Sequence, residues 1–368
     1  MKQIILDIAK ELDIELIGIT TTLDYGYLKD FLYKRSNRGY DNELEEQNIE
    51  KRLDVRNVFP NCKSIIAIGI PYAKGYKKGN PIDKGLISVV SFGEDYHIKI
   101  NRILNDLAQK IKEYIEFNYK ICVDTSPLLD REICRNAGIG NYGKNSLLIN
   151  KELGSFIHLG YLLTDLNLED DKIINEQDVC ENCNLCIKSC PNNAILSTGG
   201  INSSKCVSYL TQTKKYIPIE YRKNMKNQIY GCDVCQIVCP KNKKILQLES
   251  VNNYDDLTVD LIELMNMSNN EFIKKYGRLS GSWRGKNVWK RNAIISIANL
   301  KLHSLFDKVK DELKSPSEMI RIYSAWSLLV LNKQKAKDIL NENLKNEKGK
   351  VKKEYIKLME EFHDCRHM

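Results

Sequence analysis

The stretch CENCNLCIKSCP at residues 180–191, followed by CDVCQIVCP at residues 232–240, decides how the middle of this chain folds. Together with Cys206, which lies between the two runs, it contains eight of the twelve cysteines of the chain. Each run ends in a Cys-Pro pair, and proline stops a short helix there because it lacks a main-chain N–H group. Repeated Cys-x2-Cys spacing of this kind indicates thiolate ligands to metal.

The spacing predicts two [4Fe–4S] clusters. In the two-cluster ferredoxin pattern, three cysteines of a run bind one cluster, and the cysteine before proline binds the other. The first cluster would then have the ligands Cys180, Cys183, Cys186 and Cys239, and the second would have Cys190, Cys206, Cys232 and Cys235. This assignment uses every cysteine of the stretch once.

Two other uses of these cysteines are the alternatives. Zinc also binds Cys-x2-Cys pairs, but such a site needs only four ligands and no Cys-Pro pair. A disulfide framework would suit a secreted protein, whereas the N-terminal MKQIILDIAKELD is an amphipathic helical pattern interrupted by charges, not a signal peptide. No apolar run is long enough to cross a bilayer, so we expect a cytoplasmic protein.

The whole chain is predicted to be an α+β protein of several domains, since 368 residues can hold two or three hydrophobic cores. Residues 1–168 alternate helical patterns with short apolar strands, such as SIIAIGI at 64–70, which indicates a mixed α/β domain. Residues 169–250 would form a ferredoxin-like domain, entered through the acidic stretch 169–176. Residues 251–368 would form a helical domain.

The helical region contains two similar segments, WKRNAIISIANL at 289–300 and MIRIYSAWSLLVL at 319–331. Each starts near a basic residue and continues as an apolar helix, which suggests a short HEAT-like array. A helical bundle is the alternative, because stacked repeats usually number three or more. At the C-terminus, His363-x-Cys365-x-His367 could bind a metal, but a charged terminus usually frays.

The net charge of +8, from 56 basic and 48 acidic residues, hints at an anionic partner. Residues 272–292 contain no acidic residue. Their basic residues are Lys274, Lys275, Arg278, Arg284, Lys286, Lys290 and Arg291. Lysine-rich helices normally interleave glutamate, so this asymmetry favours a polyanion-binding surface over a merely solvated face.

The sequence GIGNYG at 138–143 matches the G-x-G-x-x-G pattern of dinucleotide-binding sites, but its context is reversed. In those sites the glycines follow a strand and open a helix, whereas here they follow the helical DREICRNA and precede the strand-like NSLLIN. We therefore expect a tight turn, or close passage of main chain beside a large flat group, rather than a nucleotide site.

Asp124 ends the predicted strand at 119–124, where a carboxylate can project into a cleft. The alternative is a structural role, in which Asp124 caps the following helix or starts an Asx turn. Position alone does not separate the two.

Several stretches resemble those of the epoxyqueuosine reductase family, which is similar to the cobalamin-dependent reductive dehalogenases. They are VDTSP at 123–127, RNAGIGNYGKNSLLI at 135–149, CVSYLTQTK at 206–214, YGCDVCQIVCP at 230–240 and GSWRGK at 281–286. The resemblance implies a corrinoid-binding α/β domain, a two-cluster ferredoxin-like domain and helical repeats. It also implies an oxidoreductase that uses cobalamin and two [4Fe–4S] clusters to reduce epoxyqueuosine to queuosine at the wobble base of tRNA, the last step of queuosine biosynthesis.

The same resemblance assigns roles to individual residues. Asp124 would be the proton donor. The corrinoid would contact Arg52, Asp124, Leu148, Leu159, Ser208 and Asp233. His97 is not expected to bind cobalt, because Asp95-Tyr96-His97 lacks the glycine that completes one corrinoid-binding motif.

The resemblance also implies the partners. The anticodon stem-loop of the tRNA would contact Thr211, Thr213, Lys214, Lys215, Ser282, Trp283, Arg284, Lys286 and Arg291. Trp283 could instead be a core anchor, since large aromatic side chains dominate packing. An external donor such as flavodoxin or ferredoxin would supply electrons to a monomeric enzyme.

Two rival functions remain. A corrinoid reductase of a small molecule would bind cobalamin without affinity for tRNA, which the acid-free basic stretch disfavours. A ferredoxin-type electron-transfer protein would need neither Asp124 nor a corrinoid, and would leave the N-terminal region without a role.

Overall fold

The computed structural model describes residues 1–77, 79, 82–171, 178–249 and 257–364, without the side chains of residues 363 and 364. The C-terminal histidine and cysteine pattern and most of the acidic stretch 169–176 lie outside this description. Within the described ranges, every helix is too short or too polar to cross a membrane.

Strands are concentrated in the first half of the chain, and helices dominate the second half. The strands are β1 (Leu16–Thr20), β2 (Ser64–Pro71), β3 (Lys84–Ile87), β4 (Tyr119–Cys122), β5 (Asn141–Tyr142), β6 (Leu148–Ile149), β7 (Ile157–Thr164), β8 (Gln228–Tyr230) and β9 (Thr258–Asp260). The helices are α1 (Lys2–Glu11), α2 (Lys29–Asn37), α3 (Ile49–Leu53), α4 (Tyr96–Lys112), α5 (Asp130–Asn136), α6 (Leu185–Ser189), α7 (Val207–Leu210), α8 (Ile219–Arg222), α9 (Val234–Ile237), α10 (Lys243–Gln247), α11 (Leu261–Asn266), α12 (Asn269–Tyr276), α13 (Lys286–Asn299), α14 (Phe306–Asp311), α15 (Glu318–Leu331), α16 (Lys333–Asn343) and α17 (Gly349–Asp364).

The chain folds into two compact units that do not follow the predicted domain boundaries at 168 and 250. The first unit comprises residues 1–77, 89–209 and 233–254, and the second comprises residues 78–88, 210–232 and 255–368. Most of the cysteine-rich segment therefore belongs to the same unit as the α/β region. The division into three functional parts stays a prediction.

The first unit is built on an antiparallel sheet with the strand order β1-β2-β7-β4 among the described residues. Side chains of β2 alternate between its two faces. Ile66 and Ile68 pack with α1 and α4 on one face, while Ile65 and Ala67 pack with α5 on the other. Because both faces are covered, β2 is a continuous apolar run. The mixed α/β fold expected for this region is confirmed.

Strand β3 belongs to a different sheet from β2. β3 ends at Ile87 and lies between β8, to which it is parallel, and β9, to which it is antiparallel. All three strands are in the second unit. The apolar residues that follow form a 3-10 turn, Val89–Ser91, whose first N–H group donates to Asp233.

Helices of the second unit pack around α13 and α15, both of which are largely buried. Trp289 of α13 is fully buried and meets Phe272 edge-on, with ring centroids 5.2 Å apart. The helical C-terminal region is thus confirmed, whereas its HEAT-like character stays a prediction.

A buried amide ties the cysteine-rich segment to the α/β layer within the first unit. The Oδ1 atom of Asn242 accepts a hydrogen bond from the N–H group of Ser155 at 2.6 Å, and its Nδ2 atom donates to the carbonyl of Gln236 at 2.7 Å. Gly154 allows this approach, because a Cβ atom there would lie 2.0 Å from Asn242 Oδ1.

We expect Asn242→Ala to destabilise the protein by about 1–3 kcal/mol, because it leaves the buried N–H group of Ser155 without its partner and removes one of the two donors to the carbonyl of Gln236. Urea unfolding followed by near-ultraviolet circular dichroism measures this. Asn182→Ala, at an exposed position of the same segment, is the control, and an equal loss in both variants would contradict the role of Asn242.

Candidate functional site

The four cysteines assigned to the first cluster lie together in the first unit. Burial raises the pKa of Cys186, and the nearby thiols of Cys180, Cys239 and Cys183 raise it further. Burial likewise raises the pKa of Cys239, and Cys180 and Cys183 add to the effect. The last cysteine of the second run, Cys239, is therefore close enough to the first run to share a cluster with it, as the spacing predicted. Packing of α6 against α9 brings the two runs together.

Two cysteines of the second tetrad, Cys190 and Cys206, also lie close together in the first unit. Burial raises the pKa of Cys206 and so does the neighbouring Cys190, while N–H groups of Ser208 and Tyr209 and the charge of Arg131 lower it. The sulfur of Cys190 accepts from the N–H group of Ala194 at 3.2 Å. Such N–H···S bonds stabilise thiolates and tune the potentials of iron–sulfur clusters.

The donor set fits clusters better than single ions. In the described part of the chain, no group of three or more Cys, His, Asp or Glu residues is placed to hold one metal ion. The tetrad of Cys180, Cys183, Cys186 and Cys239 nevertheless lies close enough for its thiols to repel one another. A cubane holds its four thiolates at separate corners, so it fits this spacing, whereas tetrahedral zinc needs them to converge.

Asp124 lies in the loop between β4 and α5, and its side chain is 62% exposed. Its backbone has φ = 53°, a left-handed conformation that is uncommon for residues other than glycine and recurs at functional sites. The hydroxyl of Tyr96 donates to Asp124 Oδ2 at 2.5 Å, and His97 Nε2 lies 3.8 Å from the same oxygen. The carboxylate is thus held in place from one side.

A stack of aromatic rings extends from Asp124 into the first unit. The ring of Tyr96 lies against His158 with centroids 4.6 Å apart, and His158 stacks on Tyr72 at 4.1 Å. Burial lowers the pKa of His158 to about 3, helped by the charges of Lys99 and His97, so His158 is neutral at physiological pH. His158 is buried between the two tyrosine rings, so the apolar surface that a ligand could meet belongs to the half-buried rings of Tyr72 and Tyr96.

Asp130, six residues after Asp124, is a second carboxyl group that the sequence analysis missed. It accepts a hydrogen bond from the hydroxyl of Tyr161 at 2.6 Å, and Ser126 lies within 3.4 Å. Burial raises the pKa of Asp130 to about 7, and the charge of Asp124 also raises it. Tyr161, from a distant strand, lowers the pKa of Asp130 through its hydrogen bond, but burial has the larger effect. No spacing rule separates this residue from a helix-capping aspartate, because its burial depends on packing.

Two arginines link this loop to the cluster region. Arg131 is close enough to influence both Asp130 and Cys206 electrostatically. Arg52 lies near Arg131 and Asp130 as well, and burial lowers its pKa. Arg52 is 3.6 Å from Glu45, but its Nε atom is buried without a hydrogen-bond partner. An orphaned buried donor at this position fits the polar periphery of a bound cofactor.

The other residues expected at the corrinoid occupy different surroundings. Asp233 is buried, accepts from the N–H group of Val89 at 3.1 Å, and lies near Tyr72. Leu148 is buried, and Leu159 packs against the same apolar cluster. Ser208 is half-buried beside Cys206. Asp233 thus lies beside Tyr72 of the aromatic stack, whereas Leu148 and Leu159 belong to one apolar cluster.

The glycine loop makes a turn, as expected. It follows α5 and includes β5, which pairs with β6. Gly138 has φ = 79°, and a Cβ atom on Gly140 would lie 2.8 Å from the carbonyl oxygen of Ile149. The glycines therefore let two segments of main chain approach each other, which is the structural role that the sequence predicted.

Most residues expected to contact tRNA surround one loop of the second unit, residues 210–215. Lys214 and Lys215 are exposed on it. Arg284 donates from Nε to the carbonyl of Gln212 at 2.7 Å, and its guanidinium lies 4.5 Å from the ring centroid of Trp283. The ring of Trp283 is 59% exposed, so it is not the core anchor that was the alternative interpretation.

Arg291 is wrong as a direct tRNA contact, because its side chain is fully buried. Its guanidinium donates to the carbonyls of Thr213 at 2.6 Å and Leu210 at 2.9 Å. The side chains of Thr211 and Thr213 are buried as well, so their hydroxyls cannot reach RNA either. These residues shape the loop from beneath. The sequence alone does not distinguish a buried arginine from one that binds phosphate, because burial depends on packing.

Part of the basic stretch is neutralised by acids from other helices. Lys275 pairs with Glu263 at 2.5 Å, and Lys290 pairs with Glu312 at 2.6 Å. Lys286 donates to the carbonyl of Met267 at 2.8 Å, and Ser282 donates to that of Gly277 at 3.3 Å. The positive charge available to a polyanion is thus smaller than the acid-free sequence suggested.

Comparison with known proteins identifies two family matches. Residues 52–125 match the family described as "Epoxyqueuosine reductase QueG, DUF1730", and residues 179–242 match the "4Fe-4S double cluster binding domain". An epoxyqueuosine reductase of Staphylococcus aureus (strain NCTC 8325 / PS 47) is 36% identical over 366 residues, which cover 97% of this chain and 96% of the relative.

Two solved structures are similar over 98% of both chains, each at 34% identity. One is an epoxyqueuosine reductase with an epoxyqueuosine-modified tRNA-Tyr stem loop, with a TM-score of 0.90. The other is the epoxyqueuosine reductase of Bacillus subtilis with its aspartate-bearing catalytic loop swung out of the active site, with a TM-score of 0.88.

We expect Cys239→Ala to remove the same cluster as Cys180→Ala, because the structure places Cys239 with the first run. Bound iron should fall from about eight to about four atoms per chain. Electron paramagnetic resonance of the dithionite-reduced protein identifies the lost signal. Cys134→Ala, at a buried position outside both tetrads, should keep both clusters. If Cys239→Ala instead removes the same cluster as Cys235→Ala, the predicted assignment of Cys239 to the first cluster is wrong.

We expect the stability advantage of Asp130→Asn over the native protein to grow by about 1–2 kcal/mol between pH 5 and pH 8, allowing for partial exposure. Burial raises the pKa of Asp130 from 3.8 to about 7. The folded protein therefore holds this proton more tightly than the unfolded chain, and the associated stability is lost as the pH rises through 7.

Urea unfolding at each pH tests this expectation, with Asp338→Asn, an exposed carboxyl of α16, as the control. A stability difference between Asp130→Asn and the native protein that is independent of pH would refute the raised pKa.

Proposed function

Since the chain belongs to the epoxyqueuosine reductase family, we propose that it reduces epoxyqueuosine to queuosine in tRNA, with two [4Fe–4S] clusters and a corrinoid as its cofactors. The observation that carries this function is the position of Asp124, whose carboxylate is held by Tyr96 at the edge of an aromatic surface. In the same unit, Arg131 lies near both Cys206 and Asp130, which follows six residues after Asp124.

The reaction needs electrons and protons in equal number. Removal of the epoxide oxygen as water, with formation of a carbon–carbon double bond, consumes two electrons and two protons. When bound, the corrinoid would supply the low-valent cobalt that breaks the carbon–oxygen bonds. The two cysteine tetrads would hold the clusters that deliver the electrons one at a time. The side chains of the loop between β4 and α5 would supply the protons.

Asp124 is the residue that we assign as proton donor to the departing oxygen. Tyr96 fixes Oδ2, and the 62% exposure of the side chain lets it reach a substrate. The loop swung out in the Bacillus subtilis enzyme bears a catalytic aspartate, and Asp124 lies on an exposed loop of this chain.

The cofactor site that we propose lies against the aromatic stack. Leu159 and Asp233 would flank the corrinoid, and the unpartnered Nε atom of Arg52 would donate to its polar periphery. Ser208, next to the cluster ligand Cys206, would contact it from the side of the second cluster. His97 is hydrogen-bonded to Asp95 at 2.7 Å and approaches Asp124, which makes it a neighbour of the acid.

The tRNA surface that we propose consists of the exposed side chains of the second unit. Lys214 and Lys215 would contact phosphates, and Trp283, backed by Arg284, would stack on an unpaired base of the stem loop. Ser282 and Lys286 would border this surface. Beneath it, Arg291 and Asn292 hold the main-chain carbonyls of residues 210, 211 and 213. The loop is thus preformed, which lowers the entropy cost of RNA binding.

We expect Asp124→Asn to lower kcat by about 10²- to 10⁴-fold, the usual contribution of a positioned general acid. The assay is conversion of tRNA that carries epoxyqueuosine, without oxygen, with added cobalamin and dithionite. Iron content should not change. Asp106→Asn, an exposed aspartate of α4, should remain fully active. Near-native turnover by Asp124→Asn would exclude Asp124 as the acid, and an inactive native protein would sink the proposed function itself.

A further inference from the structure

A groove lined by lysines lies beside the end of the cysteine pattern in the first unit. It is open and has a volume of about 650 Å³. The lining residues are Lys151, Pro240, Lys241, Lys243, Lys244, Gln247 and Leu248. None of them belongs to the catalytic loop or to the proposed tRNA surface, so the function described above leaves this groove without a role.

The positive charge of the groove is largely uncompensated. Lys244 pairs with Glu152 at 2.5 Å, but this pair is exposed and therefore weak. Among the described residues, no carboxylate lies within ion-pair distance of Lys151, Lys241 or Lys243. Leu248 adds an apolar surface that is 44% exposed. Clustered lysines with little apolar surface favour a transient contact whose rate of formation is set by charge.

The groove is fixed next to a cluster ligand. Pro240, which forms part of its wall, directly follows Cys239 in the chain. The other wall comes from the turn at residues 150–154, and Asn242 fastens the two walls together through its 2.6 Å hydrogen bond with Ser155. A protein bound in the groove would thus lie close to Cys239, which we assign as a ligand of the first cluster.

We propose that this groove is the docking site for an acidic protein that carries one electron at a time, and that electrons enter the enzyme through the first cluster. The proposal rests on the proposed function, because it requires the cluster held by Cys180, Cys183, Cys186 and Cys239. In each encounter the carrier loses one electron to that cluster, and two encounters supply the two electrons of one turnover. Attraction between opposite charges raises the rate of encounter more than the final affinity.

The test compares two double variants with the same change in charge. Lys151→Glu/Lys243→Glu reverses the charge of the groove, while Lys345→Glu/Lys352→Glu changes exposed lysines of the second unit. The probe is a reduced bacterial flavodoxin, mixed with the cluster-loaded protein in a stopped-flow instrument. The second-order rate constant of cluster reduction is followed by absorbance at several salt concentrations. Binding of oxidised flavodoxin, cluster reduction by dithionite and affinity for tRNA are measured in parallel.

We expect the groove variant to lower the rate constant with flavodoxin about tenfold or more at low salt, and to weaken its salt dependence, because the attracting charge is gone. Flavodoxin binding should weaken in the same variant. Reduction by dithionite, which needs no docking surface, should not change in either variant. The control should match the native protein with both reductants.

Three results would overturn the proposal: equal rates with flavodoxin for the groove variant and the native protein, equal losses in both variants, or a loss of tRNA affinity confined to the groove variant. The last would make the groove part of the RNA surface. Failure of the native protein to convert epoxyqueuosine with dithionite would instead contradict the proposed function, because cluster reduction by flavodoxin is measured independently of turnover.

Discussion

The side chain of Asn242 makes the contact on which the position of the cysteine-rich segment depends. It is fully buried, and its amide satisfies the main chain of Ser155 and of Gln236 at once. Ser155 leads into β7, which lies inside the sheet of the first unit, and Gln236 lies on α9 between two cluster ligands. A short irregular segment with little hydrophobic core of its own thereby takes its position from a rigid sheet. The proposed docking groove depends on the same contact.

The segment from Asp124 to Asp130 carries two carboxyl groups within seven residues. One carboxyl is exposed and held by Tyr96, and the other is enclosed by Tyr161 and Ser126. Exposure suits a group that must meet a substrate, whereas burial raises the pKa of Asp130 to about 7 and so keeps a proton available at neutral pH. The two carboxyl groups thus differ in exposure and in hydrogen-bond partners although they lie only six residues apart.

Sequence reasoning succeeded where the chemistry is local. Cysteine spacing predicted the two tetrads, and the structure brings Cys239 to Cys180, Cys183 and Cys186 as expected. The glycine loop follows a helix and leads into paired strands, which is the context that the sequence predicted. Sequence reasoning failed where the partner of a side chain comes from a distant part of the chain. Arg291 donates to the main chain of the loop at 210–215, and Lys290 forms an ion pair with Glu312. A stretch of sequence without acidic residues can still lie beside acidic residues from other helices.

The sequence by itself determined the family, the presence of a double-cluster iron–sulfur domain and the alternation of strands and helices, because each of these depends on residue spacing along the chain. Only the tertiary structure decided which sheet β3 joins, which basic residues face solvent, how Asp130 acquires its raised pKa, and that lysines line a groove next to Cys239. These features depend on burial and on contacts between residues distant in sequence. Both arise from packing, and spacing along one chain does not specify them.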